Sequence, residues 1–214
     1  SAKLTTAYIN GFQKGQTGPE SVSCMVKHFP GGGPQKDGLD AHFPYGKHQV
    51  YPGDNFDYHL IPFEHTFKNA DVQQIMPYYG IPVGQTSEDV GMSFNKEIIS
   101  DLLRGKYGYD GIVCTDWMIT ETQKMFGFLK LMDSTSWGVE DLTPLERYEK
   151  ALNAGVDQFG GQYQNTRILE LVEAGKLTEE RIDESVRRLL RMKFQLGLFD
   201  NPYVDEEAAQ QVCG

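Results

Sequence analysis

The sequence of 214 residues contains 39% hydrophobic and 23% charged residues, a composition expected of one globular domain that buries a substantial core. Its formal net charge of −10 argues against nucleic acid or an anionic membrane surface as a partner, because both attract Lys and Arg. No apolar run reaches the length of about 18 residues that crosses a bilayer, so no membrane-spanning segment is predicted.

The cysteines and the glycine-rich stretches give no sign of a metal or a cofactor. Cys24 and Cys114 lie in apolar patterns typical of strands and are predicted to be buried thiols, whereas Cys213 is predicted to be exposed. No G-x-G-x-x-G follows a predicted strand, and G-x-x-x-x-G-K-[ST] is absent, so nothing supports nucleotide binding. We therefore predict neither a metal nor a cofactor.

The first part of the chain predicts a helix, a strand and a long loop. Residues 3–13 place four apolar side chains on one helical face, namely Leu4, Ala7, Tyr8 and Phe12. Residues 22–29 are apolar until their last few positions and predict the first strand. Residues 30–57 form a glycine-rich loop whose aromatic and histidine side chains favour a packed lid over a linker.

The middle of the chain predicts two further strands, each preceded by a helix. A helix over 62–69 begins at a proline, which is a favoured first helical residue, and precedes a strand over 72–76. Residues 93–106 predict a second helix with an inward face formed by Phe94, Ile98, Ile99, Leu102 and Leu103. The apolar run 112–114, within the segment DGIVCTDW, predicts the third strand.

The last part of the chain predicts a second long loop, a fourth strand and three helices. The loop covers 118–142, and the capping box Thr143–Glu146 then begins a helix. Residues 155–159 predict the fourth strand. Helices follow at 165–174 and 178–196, the second with a buried face formed by Ile182, Val186, Leu189, Leu190 and Phe194. The chain after this helix is predicted to be extended.

The alternation of strands and helices predicts an α/β fold with parallel strands and right-handed crossovers. Four such units are half of an eight-stranded TIM-type barrel, and a small doubly wound sheet is the alternative. In either case the carboxyl ends of the strands lie along one edge, which is where such folds place their chemistry.

Polar and aromatic side chains occupy the predicted ends of all four strands. They are Lys27-His28, Tyr78-Tyr79, Asp116-Trp117 and Gly160-Gly161-Gln162. This set suits a sugar, because aromatic rings stack on its apolar face while charged and polar groups bind its hydroxyls. Residue types alone leave alternatives open, in which Asp116 caps a turn, Lys27 is a surface charge and His28 is a core histidine.

Four segments of the chain, in this order, resemble the family 3 glycoside hydrolases, which include β-glucosidases and related exo-acting enzymes. They are KHFPG at 27–31, MPYY at 76–79, DGIVCTDW at 110–117 and KFQLGLFDNPY at 193–203. The resemblance implies a retaining enzyme that hydrolyses terminal β-linked sugars through a covalent glycosyl–enzyme intermediate.

The resemblance also assigns roles to individual residues. Asp116 matches the nucleophile, and Trp117 matches the aromatic residue beside it that lines the site. The match implies that Lys27 and His28 hold sugar hydroxyls and that Met76 and Tyr79 line the same subsite. Because the nucleophile must stay ionised, it needs nearby donors or cations, and Lys27 is a candidate.

The resemblance implies the second half of a barrel, with about four strands, over residues 1–205, and a tail or the start of a linker over 206–214. It matches no acid/base residue. A half-barrel has unpaired strand edges and uncovered apolar surface, so self-association or pairing with a missing half is expected.

The alternative is a non-catalytic half-barrel that is structural or binds sugar weakly. A β-linked glucoside or oligosaccharide is the expected ligand, and the parent protein is expected to be secreted or periplasmic.

The long glycine-rich loop allows one more interpretation. It contains four side chains of types that ligate metals, namely His42, His48, Asp40 and Asp54. Histidines held for packing or for contact with a sugar are the favoured interpretation.

Overall fold

The structure is a computed structural model that describes residues 1–125, 129–162 and 165–213. Its helices and strands, in chain order, are α1 (Ala2–Phe12), β1 (Met25–Phe29), β2 (His48–Gln49), α2 (Phe56–Asn69), β3 (Gln74–Pro77), β4 (Ile81–Pro82), a π-helix (Glu97–Lys106), β5 (Ile112–Val113), β6 (Gln123–Met125), β7 (Leu129–Met132), α3 (Pro144–Ala154), α4 (Thr166–Glu173), α5 (Glu179–Gln195) and α6 (Glu206–Cys213). Within the described residues, no helix combines the length and hydropathy that a membrane span requires.

The central sheet is parallel, as the alternation of elements predicts. Its order is β1-β3-β5, with Val26 opposite Ile75 and Ile75 opposite Val113. All three of these side chains are buried. The chain is therefore an α/β fold whose parallel strands end along one edge.

The fourth predicted strand, over 155–159, is reduced to one parallel bridge between Cys114 and Gln158. The reason lies in Asp157, whose side-chain Oδ2 accepts the Val113 N–H at 2.9 Å. A carboxylate thus takes the place of a backbone carbonyl, while the N–H groups of Asp157 and Gln158 both donate to the Val113 carbonyl. The segment is attached to the sheet without forming a regular ladder.

The helix preceding β5 buries the face that its periodicity predicts. Ile98, Ile99 and Leu103 of the π-helix are almost fully buried, and Leu102 is half-buried against the same core. The capping box of α3 is also confirmed, because the Thr143 side chain accepts the Glu146 N–H while the Glu146 carboxylate accepts the Thr143 N–H.

The predicted buried face of α5 is only partly observed, because Ile182 and Leu189 are half-buried while the other three side chains are exposed. Apolar side chains of α1 are largely exposed (Leu4 78%, Tyr8 64%, Phe12 52%), and so are these three of α5 (Val186 41%, Leu190 39%, Phe194 64%). Helix α5 instead buries Ser185, which donates to Asp157 Oδ1 at 2.7 Å. The polar side of α5 faces the sheet because the buried carboxylate of Asp157 needs donors there.

Several predicted boundaries also differ from the structure. Helix α2 begins at Phe56 rather than Pro62, because burial of Leu60 extends the helix across the proline. The loop 118–142 contains the antiparallel pair β6–β7, with residues 126–128 outside the described part. The chain after α5 is not extended throughout, since α6 forms over Glu206–Cys213 with no buried residue.

The glycine-rich loop is packed as a lid, as its composition predicts. Strand β2 within the loop pairs in parallel with β4, which follows β3 closely in the chain. Gln49 of β2 is fully buried and donates to the Gly31 carbonyl at 3.1 Å. Trp137, from the second long loop, donates from its indole N–H to the Ala41 carbonyl at 2.7 Å. The lid is thereby fixed next to the carboxyl ends of β1 and β3.

Candidate functional site

The ends of three parallel strands meet at Asp116. This residue follows β5, and its Oδ2 lies 3.2 Å from Nε2 of His28 in β1. Its Oδ1 accepts the hydroxyl of Tyr79, which follows β3, at 2.9 Å. The structure thus brings together Asp116, His28 and Tyr79, which lie far apart in the chain.

The sheet register directs His28 to this site. Lys27 pairs with Met76 and Phe29 pairs with Pro77, so the register shifts at the residue between them. The peptide bond between Lys27 and His28 and the one between Phe29 and Pro30 are both cis. The irregularity of β1 therefore lies at His28, whose imidazole contacts the Asp116 carboxylate.

The carboxylate of Asp116 is held in its ionised form. Burial raises the pKa of Asp116, but hydrogen bonds from His28, from the Trp117 N–H and from Tyr79 outweigh burial and lower the pKa below its ordinary value. The Trp117 N–H lies 2.7 Å from Oδ1. Burial, followed by the charge of Asp116, raises the pKa of Tyr79 far above its ordinary value, so this phenol stays protonated as a donor.

The structure does not bring Lys27 to Asp116. The Lys27 side chain is exposed and forms no hydrogen bond or ion pair with any residue in the described ranges. Its predicted role of keeping Asp116 ionised belongs instead to His28, Tyr79 and the Trp117 amide. Met76, opposite Lys27, is buried within the sheet at 3% exposure. The roles of Lys27 and Met76 in binding sugar stay predictions.

We expect the pKa of Asp116 to rise in Tyr79→Phe and in His28→Ala, because each variant removes a donor to the carboxylate. The measurement is an NMR titration of the Asp116 side-chain carbonyl carbon. In the parent protein the pKa of Asp116 should lie below the unfolded-chain value of about 3.9. The stability from this lowered pKa is present above that value and is lost as pH falls through the folded-state pKa.

Lys27→Ala is the matched control for these two variants, because Lys27 adjoins His28 in the chain without contacting the carboxylate. An Asp116 pKa that moves as far in Lys27→Ala as in His28→Ala would contradict the hydrogen-bond assignment.

Trp117 is 45% exposed, and its indole packs against two glycines beside the carboxylate. A Cβ at Gly160 would lie 2.7 Å from Cε3 of Trp117, and one at Gly161 would lie 2.4 Å from its Cδ1. Gly161 also has φ +68°, a left-handed conformation that disfavours other residues. The predicted glycine pair at the fourth strand end therefore makes room for the indole.

We expect Gly161→Ala to displace the Trp117 ring and to change the near-ultraviolet circular dichroism and tryptophan emission. Gly175→Ala is the matched control, because Gly175 has φ +66° but a Cβ added there would meet no atom within 4 Å. Both variants should lose roughly 1–2 kcal/mol from left-handed strain, and only Gly161→Ala should change the tryptophan signals. Equal spectra for the two variants would contradict the packing argument.

The lid adds His42, which no motif assigned to the site, and Tyr78 from the predicted end of β3 also packs there. The ring of His42 packs edge-on against Tyr79, with centroids 4.9 Å apart, and its Nδ1 lies 2.7 Å from Asp40 Oδ1. Tyr78 packs against His28 with centroids 5.2 Å apart. These contacts agree with histidine held for packing. Among the described residues, no group of three or more His, Cys, Asp or Glu side chains is arranged to hold a metal.

Thr135 is a second unassigned neighbour of the site. Its N–H donates to the Met118 carbonyl at 3.0 Å and its hydroxyl lies 3.3 Å from the Trp117 carbonyl. It comes from the long loop 118–142, where no motif or periodicity distinguished it. Only the tertiary fold places it behind Asp116.

A pocket at the amino end of the sheet is separate from this site. A cavity of about 380 Å³ is lined by residues that include Phe67, Tyr107, Asp110 and Arg191. Asp110 and Gly111 precede β5, so this cavity lies at the amino end of the strand, away from the strand end that carries Asp116. It contains none of the groups that contact the carboxylate.

Comparisons with known proteins find a matching family model and similar sequences. The family model described as "Glycosyl hydrolase family 3 N terminal domain" matches residues 1–192. The chain is 52% identical to Beta-glucosidase C of Emericella nidulans over 100% of this chain and 34% of that protein. It is 42% identical to the Periplasmic beta-glucosidase/beta-xylosidase of Dickeya chrysanthemi over 99% of this chain and 34% of that protein.

A solved structure resembles the fold. The β-glucosidase of Listeria innocua, in complex with glucose, superposes with a TM-score of 0.73 over 94% of this chain and 26% of that chain, at 23% identity. At this identity the similarity concerns the fold. The chain spans about a third of the length of these two sequence relatives, 34% of each.

Proposed function

Because this chain belongs to glycosyl hydrolase family 3, we propose that it carries the nucleophile of a retaining, exo-acting β-glycosidase of the β-glucosidase type. The observation that supports this proposal is the buried, ionised carboxylate of Asp116, held by donors at the carboxyl ends of parallel strands. An ionised carboxylate at this edge is suited to attack a sugar.

In the proposed reaction, a carboxylate oxygen of Asp116 forms a bond to the anomeric carbon while the glycosidic carbon–oxygen bond breaks. The departing oxygen takes a proton from an acid. Water then attacks the same carbon and gives a proton to the conjugate base of that acid, while the ester bond to Asp116 breaks. The carboxylate is thereby restored, and the sugar leaves with its original anomeric configuration. The hydrogen bonds to Asp116 must weaken as the carboxylate loses its charge on forming the ester. These hydrogen bonds therefore orient the nucleophile but also lower its reactivity.

The remaining residues of the site suit a pyranose. Trp117 offers an exposed indole face for stacking, and Tyr79 and His28 fix the position of the nucleophile. Lys27 is free to reach a hydroxyl, and we assign it, with His28, to hydroxyl binding. The similarity to proteins named β-glucosidase favours a terminal β-glucoside as the substrate.

The proton donor is proposed to lie outside this chain, since no segment here matches an acid/base residue. The nearest alternative within the chain is the Asp40–His42 pair, whose imidazole packs on Tyr79. The two cases predict different results for His42→Ala. If His42 is the donor, this variant loses cleavage of alkyl glucosides but retains cleavage of an activated aryl glucoside.

We further propose that the sheet is the second half of a TIM-type barrel, with residues 1–205 as its unit, and that it pairs with a complementary half or with a second copy. The exposed apolar side chains of α1 and α5, led by Leu4 and Phe194, support this proposal, as does the unpaired edge of β1 in the described part of the sheet. A monomer by sedimentation equilibrium at micromolar concentration would contradict pairing between copies of this chain.

A second candidate function is a non-catalytic half-barrel that is structural or binds sugar weakly. The same exposed faces favour it, because an incomplete barrel leaves the sugar site open on one side. We propose that the whole protein is secreted or periplasmic, which the similarity to a protein named periplasmic supports.

The deciding experiment is the intact mass of the protein after incubation with an activated 2-deoxy-2-fluoro-β-glucoside. The fluorine slows both chemical steps, and the good leaving group needs little assistance from an acid. A single fluoroglucosyl adduct, located on Asp116 by peptide mapping, is expected for a competent nucleophile. The absence of any adduct at saturating reagent would favour the non-catalytic half-barrel.

A further inference from the structure

The hydroxyl of Tyr79 has one proton and two acceptors. It lies 2.9 Å from Asp116 Oδ1 and 2.9 Å from the Trp117 carbonyl. One proton makes one good hydrogen bond, so these acceptors compete for it. If the Trp117 carbonyl has no other donor, the proton is shared and the carboxylate is held less firmly.

Thr135 supplies the other donor. Its side chain is almost fully buried, and its Oγ1 lies 3.3 Å from the Trp117 carbonyl and 3.4 Å from the Met118 carbonyl. The Met118 carbonyl already accepts the Thr135 N–H at 3.0 Å. Of the two carbonyls, that of Trp117 is slightly nearer to the hydroxyl, so we assign the hydroxyl proton of Thr135 to it or to the phenol beside it.

Either direction has the same consequence for Tyr79. Donation to the Trp117 carbonyl occupies one of its two lone pairs and makes it a weaker acceptor for the phenol, whereas donation to the phenol oxygen polarises the O–H that faces Asp116. A hydrogen bond from Thr135 also acts to lower the pKa of Tyr79, against the larger effect of burial. A hydrogen bond to a charged carboxylate is about twice as strong as one to a neutral carbonyl, so the freed proton belongs to Asp116.

We propose that Thr135 is a positioning residue, which directs the single proton of Tyr79 to the carboxylate of Asp116. Its effect on glycoside cleavage rests on the proposed function, whereas its effect on the carboxylate does not. Thr135 acts through Tyr79, and its own hydrogen bonds go to the Trp117 and Met118 carbonyls, not to Asp116. The titratable groups whose charges or hydrogen bonds reach the Asp116 carboxylate are His28 from β1, Tyr78 and Tyr79 after β3, and Cys114 beside β5.

The test compares the pKa of Asp116 in the parent chain, Thr135→Val, Thr135→Ser and Tyr79→Phe, by NMR titration of its side-chain carbonyl carbon. Thr135→Val should raise this pKa by roughly half a pH unit, a threefold change in the acid dissociation constant, whereas Thr135→Ser should restore the parent value. In the Tyr79→Phe background, adding Thr135→Val should have no further effect. If Thr135→Val acted only through lost packing, its effect on the pKa of Asp116 would remain in the Tyr79→Phe background.

The proposal is overturned if Thr135→Val leaves the pKa of Asp116 unchanged, or if its effect persists undiminished in Tyr79→Phe. Near-ultraviolet circular dichroism monitors the fold of each variant, and Thr135→Ala replaces Thr135→Val if the valine disturbs packing. The rate of fluoroglucosyl adduct formation is measured in parallel. The absence of an adduct in the parent chain, with the NMR pattern intact, would count against the proposed function and leave the role of Thr135 standing.

Discussion

Replacing Asp116 by alanine is expected to abolish the fluoroglucosyl adduct and to reduce turnover of an activated aryl β-glucoside by about 10⁴-fold or more, the order of loss seen when a catalytic residue of this kind is removed. The alanine variant keeps Lys27 and Trp117, which we propose to bind the sugar, but it has no group that can attack the anomeric carbon. The Michaelis constant should therefore change far less than kcat.

Azide makes this prediction specific to a nucleophile. The small anion fits the space left by the Asp116 carboxylate and attacks the anomeric carbon once, so the product should be the α-glucosyl azide with inverted configuration. Addition of azide should restore turnover of the aryl glucoside only in this variant. A β-glucosyl azide, or no rescue together with an intact fold, would contradict the role of Asp116 as the nucleophile.

Asp54→Asn is a matched control for this experiment. Asp54 is exposed at the end of the lid and has φ 56°, a conformation that asparagine also tolerates. The control should form the adduct at the parental rate. A similar loss in both variants would indicate a general effect on charge or folding instead of loss of the nucleophile.

Replacing Asp157 by alanine is expected to cause the largest loss of stability. The Asp157 side chain has no exposed surface and contacts Arg104 Nη2 at 2.7 Å and Arg188 Nη1 at 3.0 Å. It also accepts the Val113 N–H and the Ser185 hydroxyl. Both guanidiniums are largely buried, with side-chain exposures of 16% and 14%. Removing the carboxylate leaves Arg104 without its counter-ion and leaves Arg188 with only its pair to Asp110.

Loss of one member of a buried ionic network costs about 3–5 kcal/mol, which corresponds to a fall in Tm of roughly 10 °C for a chain of this size. Urea unfolding followed by circular dichroism measures the free energy of unfolding. Asp157→Asn should lose less than Asp157→Ala, because the amide oxygen can still accept one of the hydrogen bonds.

Asp183→Ala is the control, because it removes the carboxylate of an exposed ion pair in α5. Its pair with Arg187 in α5 has an N···O distance of 3.3 Å and side-chain exposures of 60% and 71%. A solvated pair of this kind contributes less than about 1 kcal/mol. Equal losses of stability in the two variants would show that the buried network around Asp157 has no special role.

These two predictions separate catalysis from stability at the carboxyl end of β5. Asp116 follows the carboxyl end of β5, and Asp157 fastens the adjacent segment through Val113 within the same strand. We expect Asp116→Ala to lose chemistry while it keeps most of its stability, and Asp157→Ala to lose stability first. A stable Asp157→Ala protein that forms no fluoroglucosyl adduct would contradict this separation.

The sequence alone determined the alternation of strands and helices, because hydrophobic periodicity and caps are local properties of the chain. The buried face of the π-helix and the capping box at Thr143 follow from spacings of three to five residues. The meeting of His28, Tyr79 and Asp116 was also predictable, since parallel strands place their carboxyl ends on one edge.

Only the tertiary structure decided which face of an amphipathic helix points inward. Periodicity identifies the apolar side of α5, with Leu190 and Phe194, but the sheet presents the buried carboxylate of Asp157 to that helix, and the polar side is drawn to it. The sequence also could not place Thr135 behind Asp116, because a hydrogen bond between distant segments has no periodic signal. Local pattern fixes the elements, whereas pairing between distant polar groups decides how they face each other.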